Sequence, residues 1–96
     1  MKILKAKNYY ESQGISELCE ADKDFLWSVL FRLADFVRNN WGNVNEYSKL
    51  MNNRATITGG KIIGSYLIND IKIWIIASPE DSKGLRNITI LLPEEF

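Results

Sequence analysis

The chain has 96 residues, 46% apolar and 25% charged, and its 12 basic and 12 acidic side chains cancel at neutral pH. That mixture specifies one small domain over residues 1–96 with a single core, and it excludes wholesale disorder. Histidine is absent and Cys19 is the lone cysteine, which excludes an intramolecular disulfide and a zinc site of four Cys or His ligands.

Without a basic excess, direct binding to nucleic acid is disfavoured, while a net charge near zero leaves self-association into a homo-oligomer open. No stretch approaches the ~20 apolar residues of a membrane span. Met1 to Lys7 carries charge but lacks the apolar run of a signal peptide, so the expected location is cytoplasmic, with no membrane partner. Cys19 has no histidine to activate it and reads as a half-buried thiol.

Residues 2–7 suggest a short strand, and Asn8 to Gln13 a single helical turn closed by Gly14 in a positive-φ conformation. Ile15 to Glu20 has no clear period. Asp22 then offers an N-cap, with Asp24 in the first turn. Phe25, Leu26, Val29, Leu30, Leu33, Phe36, Val37 and Trp41 recur at helical spacing, predicting a helix over about 23–40 with Gly42 as its C-cap. At ~100° per residue, Ala34, Trp27 and Phe31 extend the apolar arc beyond what one sheet face needs. Either residues 8–20 or 43–58 cover this flank, or it faces a partner.

Asn43 to Thr58 is polar and reads as a long connection or a short helix around Glu46–Met51. After Gly59-Gly60 the period becomes two. Lys61–Ile68 and Ile71–Ala77 form strands joined at Asn69-Asp70, and Asn87–Leu92 forms another after a turn-rich loop. The expected fold class is α+β, a three- to four-stranded mainly antiparallel sheet with one long amphipathic helix packed on a face. Leu30, Leu33, Ile73, Ile75 and Ile90 are expected in the core. Ile71, Ile73 and Ile75 alternate with Lys72, Trp74 and Ile76, so something must cover the sheet's second face as well.

No set of residues suggests chemistry. Gly59-Gly60-Lys61 precedes a strand and lacks the hydroxyl residue of a phosphate loop. Glu80-Asp81 and Glu94-Glu95 are neighbours that point apart in extended chain, unlike an acid–base dyad. The lysines near the start with Tyr9 and Tyr10 only loosely match a single-strand binder. The expectation is therefore a non-enzyme without catalytic residues, metal or cofactor. Candidate protein-binding residues are Trp27 and Phe31 on the helix flank and Trp74 beside Lys72, with Glu80, Asp81, Glu94 and Glu95 addressing a basic partner.

Two stretches together carry a resemblance: Phe36-Val37-Arg38-Asn39-Asn40-Trp41-Gly42-Asn43, and Ile71-Lys72-Ile73-Trp74-Ile75-Ile76 with Thr89-Ile90-Leu91-Leu92-Pro93-Glu94-Glu95-Phe96. In length, order and these motifs the chain resembles a family of small uncharacterised proteins from phages, plasmids and integrated elements of Gram-positive bacteria. The turn over residues 78–86 is longer than that family's. The resemblance implies an accessory protein of a mobile genetic element. Its expected role is an anti-CRISPR type inhibitor that binds a host defence protein, such as a Cas nuclease. A nucleic-acid-binding accessory or transcriptional regulator of the element is the alternative.

Overall fold

The computed structural model describes residues 2–96. Chain order is strand β1 (Ala6–Glu11), helices α1 (Gln13–Ala21), α2 (Lys23–Val37) and α3 (Glu46–Thr58), then strands β2 (Ile62–Ile68), β3 (Ile71–Ala77) and β4 (Arg86–Leu91). A 3-10 turn, Pro93–Glu95, closes the chain. The sheet order is β1-β4-β3-β2. β2, β3 and β4 form an antiparallel meander, while β1 joins β4 in parallel. The fold is thus α+β with a mixed four-stranded sheet, antiparallel in two of its three pairings, and three helices where one long helix was expected.

The meander follows directly from the period-two pattern. Asn69 and Asp70 adopt φ of 50° and 64°, the left-handed pair that a two-residue hairpin requires. Ile62, Tyr66 and Ile68 of β2, Ile73, Ile75 and Ala77 of β3, and Ile88 and Ile90 of β4 are buried on one face. Helix α2 meets this face chiefly through Phe25, Val29 and Phe36, with Leu26, Leu33 and Val37 half-buried around them. Gly64 is small because a Cβ there would run into the Phe36 ring and Tyr66.

Several local expectations are corrected. Asn8 to Gln13 is not a helical turn; most of it belongs to β1, whose pairing with β4 is parallel and distant in sequence. Gly14 lies inside α1 and packs against Leu92 and Glu95, without a positive φ. Helix α2 ends at Val37, and Asn39 at φ 70° takes the left-handed position expected of Gly42. Gly42 does have a positive φ, but its use is close approach: the Trp41–Asn43 segment bridges to Ser65 at the edge of β2. Leu30 is not core, being 43% exposed.

Helix α3 runs twice the length expected, from the Asn45 N-cap, which accepts from Ser48 N–H, to Gly59 in the left-handed conformation. Its inward side is polar because it covers a strand edge and not a sheet face. Asn52 is buried; its amide donates to the Ile63 carbonyl (2.9 Å) and its Oδ1 accepts from the Ile63 N–H. The side-chain amide thereby supplies what a neighbouring strand would have supplied. Two residues along, Ser65 donates to the Trp41 carbonyl and accepts from Asn43 N–H. These contacts close the β2 edge at Ile63 and Ser65.

Candidate functional site

Three surface features arise from these elements. The first is the flank of α2. From Phe25 as origin, ~100° per residue places Leu30, Ala34, Trp27 and Phe31 between about 140° and 240°, whereas the buried residues Phe25, Phe36 and Val29 cluster within about 40°. Neither α1 nor α3 covers the difference. Trp27 is 59% exposed and Phe31 62%, with Leu30 beside them. Phe31 also borders a shallow depression with Leu67 and Arg32 at the β2–β3 hairpin. The arc excess was visible in the helical period; the exposure of Leu30 was not.

The second feature is a groove of about 500 Å³ between α3 and the sheet's second face. Ile63, Ser65 and Trp74 form its floor, Tyr47, Met51 and Asn52 its wall, and Lys61 and Lys72 its cationic rim. No carboxylate lines it. Trp74 meets Phe96 edge to face at 5.4 Å, and Lys61 lies 5.1 Å from the centre of the Phe96 ring. The second face is therefore partly covered by the chain's own end and partly open. Trp74 and Trp27 lie in separate features on different elements. A third feature, unread in the sequence, is the outer side of α3, where Leu50 and Ile57 are exposed.

The four acids divide by role. Glu95 accepts from the Ser12 hydroxyl, from Gly14 N–H and from Leu92 N–H. With Ser12 as the α1 N-cap, it satisfies the free amides at that helix start and places negative charge there. Asp81 accepts from Lys83 N–H and Leu85 N–H and pairs with Lys7 at 3.2 Å, folding the β3–β4 loop onto itself. Glu80 pairs with Lys2 and lies 3.7 Å from the Arg86 guanidinium. Glu94 is exposed, and no hydrogen bond or ion pair engages its side chain among the described residues.

The bonds also set the protonation of these groups. Ser12, with Leu92 and Gly14 N–H, holds the Glu95 carboxyl below its ordinary value. The Leu85 and Lys83 amides, with Lys7, do the same for Asp81. A carboxyl depressed in the folded state stabilises the fold above its unfolded pKa, and that stability is lost as pH falls through the folded value. The contribution of Glu95 should therefore fade as pH drops below about 4.3, the ordinary glutamate value. In thermal melts, Glu95→Gln should lie below wild type at pH 7, and the gap should close toward pH 3. A gap that stays constant with pH would contradict this role.

Cys19 is buried on the inner face of α1, and burial, with Glu11 nearby, pushes its thiol pKa up, away from a reactive thiolate. Among the described residues, no group of three or more His, Cys, Asp or Glu side chains is arranged to hold a metal ion, and no helix is long and apolar enough to cross a membrane.

No protein-family model matches the chain, and no curated protein or solved structure shows significant similarity to it.

Proposed function

We propose that this chain is a non-enzymatic protein-binding module whose contact surface is the Trp27–Leu30–Phe31 flank of α2. The carrying observation is that three large apolar side chains at i, i+3 and i+4 stand exposed on one helix face while the sheet's core is filled by others. Such a face suits insertion into an apolar groove, and interface energy concentrates in aromatic anchors of this kind. Isolated exposed apolar residues need no explanation; an adjacent set containing a tryptophan and a phenylalanine does. The resemblance to small mobile-element proteins supplies the partner class: a subunit of a host defence nuclease complex, inhibited in anti-CRISPR fashion in the cytoplasm. Of the four acids, Glu94 is the one free to tune the encounter with a basic partner.

A second reading rests on the groove. Lys61 and Lys72 around Trp74 and Tyr47, without a carboxylate, offer phosphate contacts and stacking surfaces for single-stranded nucleic acid, as in an accessory or transcriptional factor of the element.

One capture experiment separates the two. The wild type, Trp27→Ala/Phe31→Ala and Lys61→Glu/Lys72→Glu proteins are used as baits in extract from a host carrying defence systems, with and without nuclease treatment. The protein-binding reading expects a nuclease-resistant defence subunit, retained by wild type and the lysine variant but lost by the aromatic variant. Because both aromatic positions are exposed, that variant should stay within about 1 kcal/mol of wild-type stability. Retention that depends on nucleic acid and on the two lysines would replace this reading with the second.

A further inference from the structure

We propose that the groove between α3 and the sheet's second face is a binding site for a free nucleoside phosphate, with the base on Trp74 and the phosphate at Lys72. The strands set the layout. Ser65 on β2 is in register with Trp74 on β3, and Ile63 with Ile76, so Ile63, Ser65, Trp74 and Lys72 share one face. Lys72 stands two residues from Trp74 toward the hairpin, and Lys61, ahead of Ile63, stands at the opposite end. Helix α3 raises a wall along this floor with Tyr47 and Met51, while Phe96 meets Trp74 edge to face.

Two observations select the occupant. The first is charge. Among the described residues neither Lys61 nor Lys72 has an ion pair, and no carboxylate lines the groove. Lys61 is partly engaged, lying 5.1 Å from the centre of the Phe96 ring. Lys72 has no such contact, which puts the anion at its end. Cations without a counter-charge beside an aromatic floor suit a ligand that is anionic at one end and flat at the other. The cationic surface also stops at the groove. Asp70 lies two residues beyond Lys72, Glu94 two residues before Phe96, and Glu46, next to Tyr47, opens onto a separate depression with Trp41 and Lys49. A single strand needs a basic track that follows its backbone. Here acids stand past either lysine, so a contained anion is favoured over a polymer.

The second observation is a set of polar side chains with no other role. Asn43, Ser48 and Ser65 use backbone groups in the fold's own hydrogen bonds. Among the described residues the Asn43 amide and the Tyr47, Ser48 and Ser65 hydroxyls have no partner within the fold, and all four residues line the groove. Together they offer donors and acceptors, as a sugar and a base edge require. A peptide's main chain finds no counterpart there, because Asn52 and the Trp41–Asn43 segment already bond the β2 edge at Ile63 and Ser65. The volume, about 500 Å³, lies in the range of small-molecule sites.

Isothermal titration of the untagged protein with adenosine and uridine monophosphates, up to about 1 mM, is the test. At least one should bind, with a dissociation constant of about 10–100 µM for a ligand of this size. The same nucleoside without its phosphate should bind about tenfold or more weakly, and so should the nucleotide to Lys72→Gln, with a smaller loss for Lys61→Gln. Trp74→Ala should also weaken binding about tenfold or more, whereas Trp27→Ala/Phe31→Ala should leave it unchanged. Trp74 is half-buried; if its alanine variant unfolds, Lys72→Gln, at an exposed position, decides alone. No binding of either nucleotide, or binding indifferent to Lys72 and to loss of the phosphate, overturns the proposal. A single strand of about ten nucleotides that binds at least about tenfold tighter than the mononucleotide also overturns it, and returns the groove to single-strand binding.

Discussion

Replacing Arg86 by alanine should cost about 3–5 kcal/mol, the range for stripping one partner from a buried charged network. Arg86 is 2% exposed at the start of β4. Its guanidinium donates to the carbonyls of Gly60, Ser78 and Ala55, which belong to the turn after α3, the end of β3 and the last turn of α3. Its backbone N–H donates to the Lys5 carbonyl beside β1. One side chain therefore ties α3 to the far end of the meander, and it uses the planar fork that a lysine lacks. Burial lowers the guanidinium's pKa, with Glu80 partly offsetting that effect. The principal loss in Arg86→Ala is that the Gly60 and Ser78 carbonyls are left without donors in a closed site, while the Ala55 carbonyl keeps the Gly59 N–H. Arg86→Met should consequently be almost as damaging, although it fills the volume, and Glu80→Gln should be mild. Urea denaturation gives the comparison. A loss under about 1 kcal/mol in Arg86→Ala would mean those carbonyls find water instead.

Trp41→Ala should cost a similar amount, about 3–5 kcal/mol, as large aromatic truncations in cores do. Trp41 is buried beyond the end of α2, with its ring 5.5 Å from that of Phe36 in an edge-to-face pair. Its indole N–H donates to Asn53 Oδ1 on α3, and its carbonyl receives the Ser65 N–H of β2. Tyr66 adds to this corner by donating its hydroxyl to the Asn40 carbonyl. The indole thus joins α2, α3 and the β2 edge. Trp41→Phe keeps most of the packing and loses mainly the bond to Asn53, so it should cost nearer 1 kcal/mol. Equal losses for the two variants would show that the hydrogen bond, and not the ring, carries the effect.

What the sequence made legible was whatever has a local period. The hairpin at Asn69-Asp70, the alternation of β2 to β4 and the position of α2 all follow from spacing within a few residues. The N-terminal strand was placed too early, at residues 2–7 instead of Ala6–Glu11, because a parallel edge strand needs no apolar alternation and its partner lies about eighty residues away. Helix α3 was underestimated because it buries Asn52, Ala55 and Thr56, a face built for hydrogen bonding to a strand edge, while Leu50 and Ile57 stand outside. That inversion defeats any reading that equates apolar with inward. The acids Glu80, Asp81 and Glu95 were legible as surface residues, but their ties to Lys2, Lys7 and Ser12 were not, since those partners come from distant segments. Arg86 carried no signal at all: a lone arginine in a turn looks solvated until the chain closes around it.

Trp27 and Phe31 are the positions on which the functional account stands, and both were singled out by an apolar arc too wide for one sheet. Isothermal titration of the protein that the wild-type bait retains, with wild type and with Trp27→Ala/Phe31→Ala, both verified as folded, tests that account most directly. Loss of two aromatic anchors should weaken binding at least about a hundredfold, at low and high salt alike, since anchors of this kind contribute about 2 kcal/mol or more each. Wild-type affinity in the folded double variant would contradict the assignment of α2 as the binding surface.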